Sequence, residues 1–112
     1  MNEKEILHAT ERADFAYLNG AIMRICNLLK PSQRNLNAVY MLCKNDGEYN
    51  DQQIQQSFTY LCDAGYIRID HPKGTDYIEE LSSGAFGKVK MKVTAKGMQL
   101  LMDALQDPCV EI

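Results

Sequence analysis

The stretch Leu61-Cys62-Asp63-Ala64-Gly65-Tyr66-Ile67-Arg68-Ile69 constrains the fold more than any other part of this sequence. It reads as the last turn of an amphipathic helix, a glycine that stops it, and an alternating strand. A helix that gives way at once to a strand needs a left-handed residue just past its end, a state glycine adopts without steric cost. Downstream, Lys88-Val89-Lys90-Met91-Lys92-Val93 alternates again, with valines and methionine one way and lysines the other. It runs directly into Thr94-Ala95-Lys96-Gly97-Met98-Gln99-Leu100-Leu101, where Thr94 is a natural N-cap. Segments 66–70 and 88–93 are therefore expected to pair as antiparallel neighbours between two helices.

Upstream, residues 2–13 are polar and helix-favouring, with Ile6, Leu7 and Ala13 as apolar points. They form either a short helix of their own or the first turns of the next one. Phe15, Leu18, Ile22, Ile25 and Leu29 step by three or four, the mark of one buried helical face. Gly20 falls inside this run at a cost of ~1 kcal/mol to the helix. Lys30-Pro31-Ser32 ends it, because the residue before proline is pushed out of helical geometry.

A further helix opens at Ser32 or Gln33, with Leu36, Val39, Tyr40 and Cys43 as its stripe, and stops at Lys44-Asn45-Asp46-Gly47. Glu48-Tyr49 can add a short strand to a small sheet. Asn50 or Asp51 caps the next helix. Ile54, Phe58, Leu61 and Cys62 share one of its faces; Gln52, Gln53, Gln56, Thr59, Tyr60 and Asp63 lie opposite. Residues 70–87 make a long connection whose middle, around Tyr77, Ile78 and Leu81, is expected to hold an extra strand or helical turn. The last helix carries Met98, Leu101, Met102 and Leu105 and closes at Asp107-Pro108, leaving 106–112 as a frayed tail.

The 112 residues make one domain, 1–112, long enough to bury a core without staples. No apolar run approaches the ~20 residues that span a bilayer. Met1-Asn2-Glu3-Lys4-Glu5 has no signal-peptide character, so no membrane partner and a cytoplasmic location are expected. Cys26, Cys43 and Cys62 fall on apolar helical stripes, where a free thiol acts as a small hydrophobe. A zinc site made of them with His8 or His71 is conceivable, but the spacings do not suit one, and no metal or cofactor is expected. No Ser-His-Asp order, His-Glu-x-x-His or phosphate-cradling loop is present, and Gly84-Ala85-Phe86-Gly87 precedes a strand rather than a helix. An enzyme is not expected.

Two segments, Leu61-Cys62-Asp63-Ala64-Gly65-Tyr66-Ile67 and Thr94-Ala95-Lys96-Gly97, resemble the winged helix–turn–helix superfamily. The first resembles the end of a recognition helix and the start of a wing. The second is similar to a motif common in MarR-type and PadR-type regulators and in small phage-borne proteins. The resemblance covers the C-terminal half and implies an α+β winged helix–turn–helix fold. That fold has three or four helices, a two- or three-stranded antiparallel wing and a C-terminal helix. The turn from Asn45 to Asn50 is longer than the three or four residues usual in that family.

The formal charge of −3 weighs against blanket attraction to phosphate. Its distribution says more, because residues 84–98 hold Lys88, Lys90, Lys92 and Lys96 with no acid among them. Lys73, Lys88, Lys90 and Lys92 are the expected phosphate contacts of the wing, although lysines also guard sheet edges. Gln52, Gln53, Gln56, Thr59 and Tyr60 are the expected base readers, on a helix that carries no lysine or arginine. Residues 1–17 form an N-terminal helical extension that pairs two protomers or packs back on its own domain. These features describe a dimeric transcriptional regulator on double-stranded DNA. The alternative is a winged-helix protein–protein interaction module that binds no DNA and presents its acidic helix or long wing to a protein.

Overall fold

The structure, a computed structural model, describes residues 2–28, 34–45, 49–70 and 90–112, leaving aside the side chains of 6–10, 28 and 34–37. The elements run α1 (Glu3–Leu28), β1 (Arg34–Asn35), α2 (Leu36–Asn45), α3 (Asp51–Asp63), β2 (Ile67–Asp70), β3 (Lys90–Val93) and α4 (Ala95–Leu101). The three strands form one antiparallel sheet in the order β1-β3-β2. The expected pairing holds, with Ile67 opposite Val93 and Ile69 opposite Met91. Their side chains face the core, as do Leu18, Ile22 and Met23 of α1, Val39 and Cys43 of α2, and Ile54, Phe58 and Leu61 of α3. Among the described residues no helix is long and apolar enough to cross a membrane.

The third strand comes from Arg34–Asn35, just before α2; of the expected pair Glu48-Tyr49, Glu48 lies outside the described residues and Tyr49 is not in a strand. The Tyr49 N–H instead donates to the Cys43 carbonyl (3.2 Å), spending the strand-forming group on the end of α2. The segment expected to hold structure within 70–87 lies outside the described residues beyond Asp70.

The end of α3 and the start of α4 meet in a close join. Gly65 has φ +84°, and its N–H donates to Cys62 O (3.0 Å) while the Tyr66 N–H donates to Leu61 O (2.9 Å). This doubly bonded ending satisfies carbonyls that a helix end otherwise leaves open. Thr94 then caps α4 by accepting from the Gly97 N–H (3.1 Å), donates its hydroxyl to Gly65 O, and bonds Tyr66 O through its own N–H (2.9 Å). Lys96 completes the join, donating to Ala64 O (2.9 Å) with its ammonium 5.3 Å from the Tyr66 ring centre. Gly97 is required by close approach: a Cβ there would sit 2.2 Å from Tyr66 O and 2.7 Å from Val93 Cγ1.

α1 is one continuous helix of 26 residues, so residues 3–13 are the first turns of the long helix. Two expectations about the C-terminus are corrected. α4 stops after Leu101, because Asp103 turns left-handed (φ +61°) and the N–H groups of Asp103 and Ala104 fold back onto Leu100 O and Gln99 O. Docking at Gly97 aims Leu100 inward and leaves Met102 63% exposed. Nor is 106–112 frayed. Val110 is buried in the core, the Glu111 N–H donates to Ala16 O (2.9 Å), and Asn19 Nδ2 donates to Cys109 O (2.9 Å). The tail crosses α1 at Gly20, where an added Cβ would lie 1.7 Å from Glu111 O.

Gly97→Ala is expected to destabilise the fold by about 1–3 kcal/mol, as overpacking against rigid neighbours does. An exposed helical Gly→Ala change would instead stabilise by up to ~1 kcal/mol. Gly20→Ala should detach the tail with a smaller loss of stability. Urea unfolding reads the first effect, and faster amide exchange at Val110 and Glu111 reads the second.

Candidate nucleic-acid interface

α3 begins with a reciprocal cap. Asn50 Oδ1 accepts from the Gln53 N–H (2.8 Å), and Gln53 Oε1 accepts from the Asn50 N–H (3.0 Å). The helix is also tied to α2, because Asp51 accepts from the Tyr40 hydroxyl and pairs with Lys44 (3.1 Å). The Tyr40 bond and then Lys44 hold the Asp51 carboxyl below its ordinary range. Burial first, then Asp51, raises the Tyr40 hydroxyl.

Five residues of α3 were expected to read bases, and the structure divides them. Gln52, Gln56 and Thr59 are exposed, at spacings of four and three that set them in one row. Gln53 belongs to the cap. Tyr60 is half-buried, stacks edge-on against Phe15 (5.3 Å, 74°) and donates to Asp107 Oδ2 (2.5 Å). Its hydroxyl is engaged inside the molecule, so the available row is Gln52, Gln56 and Thr59.

Asp107 also accepts from the Tyr66 hydroxyl (2.7 Å) and from the Cys109 N–H (2.9 Å). Burial works to raise this carboxyl, but the donors from Tyr60, Cys109 and Tyr66, with the charge of Lys96, outweigh burial and hold it below 3.8. Conversely, burial and Asp107 push the Tyr66 hydroxyl up to about 12 and raise that of Tyr60 as well. The tail carboxylate thus fixes the inner edge of α3 and leaves its outer edge open.

On the hairpin, antiparallel register sets Lys92 opposite Arg68 and Lys90 opposite Asp70. Ile69 and Met91 are buried on the other face, so these four side chains share the outer one. Arg68 and Lys90 are exposed and Lys92 half-buried. Arg68 was missing from the expected contacts, although the alternation Ile67-Arg68-Ile69 already places it on the lysine face. Lys73 and Lys88 lie outside the described residues. Lys96 is spent on the join between α3 and α4.

Cys26 and Cys43 are buried and Cys62 half-buried. Burial pushes the Cys43 thiol to about 11, and burial with Asp63 pushes that of Cys62 to about 12, so both stay protonated near neutrality. Among the described residues no three His, Cys, Asp or Glu side chains gather closely enough to hold a metal ion. No family model matches this sequence, and no match was found among curated proteins or solved structures.

The depressed Asp107 carboxyl sets the sign of a pH effect. Its contribution is fully present above the unfolded value of 3.8 and is lost as pH falls through the lower folded value. Asp107→Asn should cost about 1–2 kcal/mol at pH 7, after discounting charged hydrogen bonds for partial exposure. That difference should shrink in acid as the native carboxyl takes up its proton. Urea unfolding of both proteins at neutral and acid pH measures it.

Proposed function

We propose that this chain is a small DNA-binding protein of the winged helix–turn–helix plan, acting as a dimeric transcriptional regulator on double-stranded DNA. Its order of helix, strand, helix, helix, hairpin and helix, with one antiparallel sheet, supports the plan. The observation that carries the function is the Arg68–Lys92 pair. Two cations directly opposite on adjacent strands repel each other, and a phosphate between them relieves that repulsion while accepting hydrogen bonds from both. Lys90 extends the same face. The exposed row Gln52, Gln56 and Thr59 supplies groups that hydrogen-bond base edges, glutamine to adenine above all.

Dimerisation rests on α1. Ala13 and Tyr17 are exposed, Tyr17 by 52%, and helical spacing sets position 6 in line with them. Arg24 continues the row seven residues on, its guanidinium 5.9 Å from the centre of the Tyr17 ring. A pair of such helices across a two-fold axis would present two reading helices to a two-fold symmetric site. Sedimentation equilibrium should give a dimer that Tyr17→Glu dissociates. A monomer at all concentrations would remove this part of the proposal.

Binding to duplex DNA should weaken with salt at a slope of about −0.9 per phosphate contacted, and replacing Arg68 and Lys92 together with alanine should flatten it by about two contacts' worth. Gln56→Ala should change sequence preference more than overall affinity. Absence of duplex affinity at low salt would sink the regulator reading.

One observation favours the second reading, a protein-interaction module without DNA binding: α3 carries no lysine or arginine while holding Asp51 and Asp63. Under that reading a nuclease-treated extract yields a stoichiometric protein partner, and duplex DNA is ignored at any salt concentration.

A further inference from the structure

A cleft of about 400 Å³ lies between the N-terminal half of α1 and the first turns of α3. That size falls within the roughly 300–1,000 Å³ of small-molecule sites. Its α1 wall is the face bearing Glu11, Phe15 and Leu18, with Asp14 beside them.

The lining has four chemical parts, one of them the amides of Gln53 and Gln56, the latter shared with the exposed row of α3. Glu11 and Asp14 are exposed carboxylates at the rim, opposed by the single guanidinium of Arg12. Phe15, Leu18 and Tyr49 give an apolar and aromatic body. Ser57 also lines the cleft. It is 0% exposed, and its Oγ has no hydrogen-bond partner among the described residues. An orphaned buried hydroxyl is uncommon in a folded chain and gains from any group that bonds it. The field of the rim reaches inward: burial first, and then the charge of Asp14, raises the Tyr49 hydroxyl.

We propose that this cleft binds a small aromatic amine. Its ammonium sits between Glu11 and Asp14, its ring packs on Phe15, Leu18 and Tyr49, and a polar group at its far end bonds Ser57. The charge argues for a monocation, since among the described residues two carboxylates against one guanidinium leave one negative charge to balance. The aromatic walls favour the same ion, whose charge is attracted to ring faces.

Three probes of one shape test this on the whole chain by amide chemical-shift titration: tyramine, phenethylamine and para-hydroxyphenylacetate. Tyramine should shift the resonances of Asp14, Tyr49 and Ser57. The carboxylate analogue should bind at least about fivefold more weakly, the factor one partly exposed ion pair supplies. Asp14→Asn, at an exposed position, should weaken tyramine by a similar factor, and Ser57→Ala should erase the advantage of tyramine over phenethylamine. No shift at these residues, or equal binding of amine and carboxylate, would overturn the site. The titration contains no DNA, so its failure leaves the proposed function standing, and failure of DNA binding leaves the site standing.

Discussion

The structure depends on one join, where the end of α3 meets the start of α4. Leu61 and Cys62 carbonyls are closed by the N–H groups of Tyr66 and Gly65, while the carbonyls of Gly65 and Tyr66 are in turn taken by Thr94. Helix end, turn, strand start and the next helix's cap thus share one set of hydrogen bonds. Gly97 permits the approach by having no side chain, and Lys96 spans it from Ala64 O to the Tyr66 ring. Because β2 leaves from this point and β3 returns to it, the join sets the register that puts Arg68 beside Lys92. A slip of one residue would turn Ile67, Ile69 and Met91 outward, so core burial and hairpin charge are fixed by the same geometry.

The second brace is the tail. Tyr60 and Tyr66, on the inner edge of α3 and just beyond it, both donate to Asp107, whose other oxygen accepts from Cys109. The chain then crosses α1 at Gly20, so the last residues tie α3 to α1 directly. α3 is consequently held at its start by Asn50, Gln53 and the Tyr40–Asp51–Lys44 group, and at its end by Asp107 and the Gly65 turn. A helix fixed at both ends presents its exposed row rigidly, which any recognition by Gln52, Gln56 and Thr59 requires.

What could be read from the sequence follows how locally each feature is encoded. The Gly65 turn, the Asn50 and Thr94 caps and the strand alternation are written in adjacent residues, and the structure has each of them. Features that depend on distant partners were not legible. Gly20 looked like a mild defect in α1 until Glu111, 91 residues further on, was seen to lie over it. The tail looked frayed because its polar residues find their partners on α1 and α3. The stripe Met98, Leu101, Met102 and Leu105 fits helical spacing, but the join at Gly97 decides which side faces in, and it chose Leu100. Tyr60 looked like a surface group because a helical wheel cannot show that Asp107 occupies it, whereas Gln53, three residues past Asn50, carries a local capping-box signature.

The excess of acid in this chain does not oppose phosphate binding uniformly, because charges act over a Debye length of ~10 Å and are weakened by their own partners. Asp51 is already paired with Lys44 and accepts a hydrogen bond from the Tyr40 hydroxyl. Glu11 and Asp14 border the cleft between α1 and α3. On the outer face of the hairpin, Arg68, Lys90 and Lys92 stand against Asp70 alone among the described residues. Asp63, exposed at the end of α3, is the remaining acid of that helix and has no salt-bridge partner among the described residues. The exposed row of α3 thus has acid near it at Asp63 and, beside Gln56, at the carboxylates of the cleft, while on the hairpin cross-strand register, more than net charge, sets the local field.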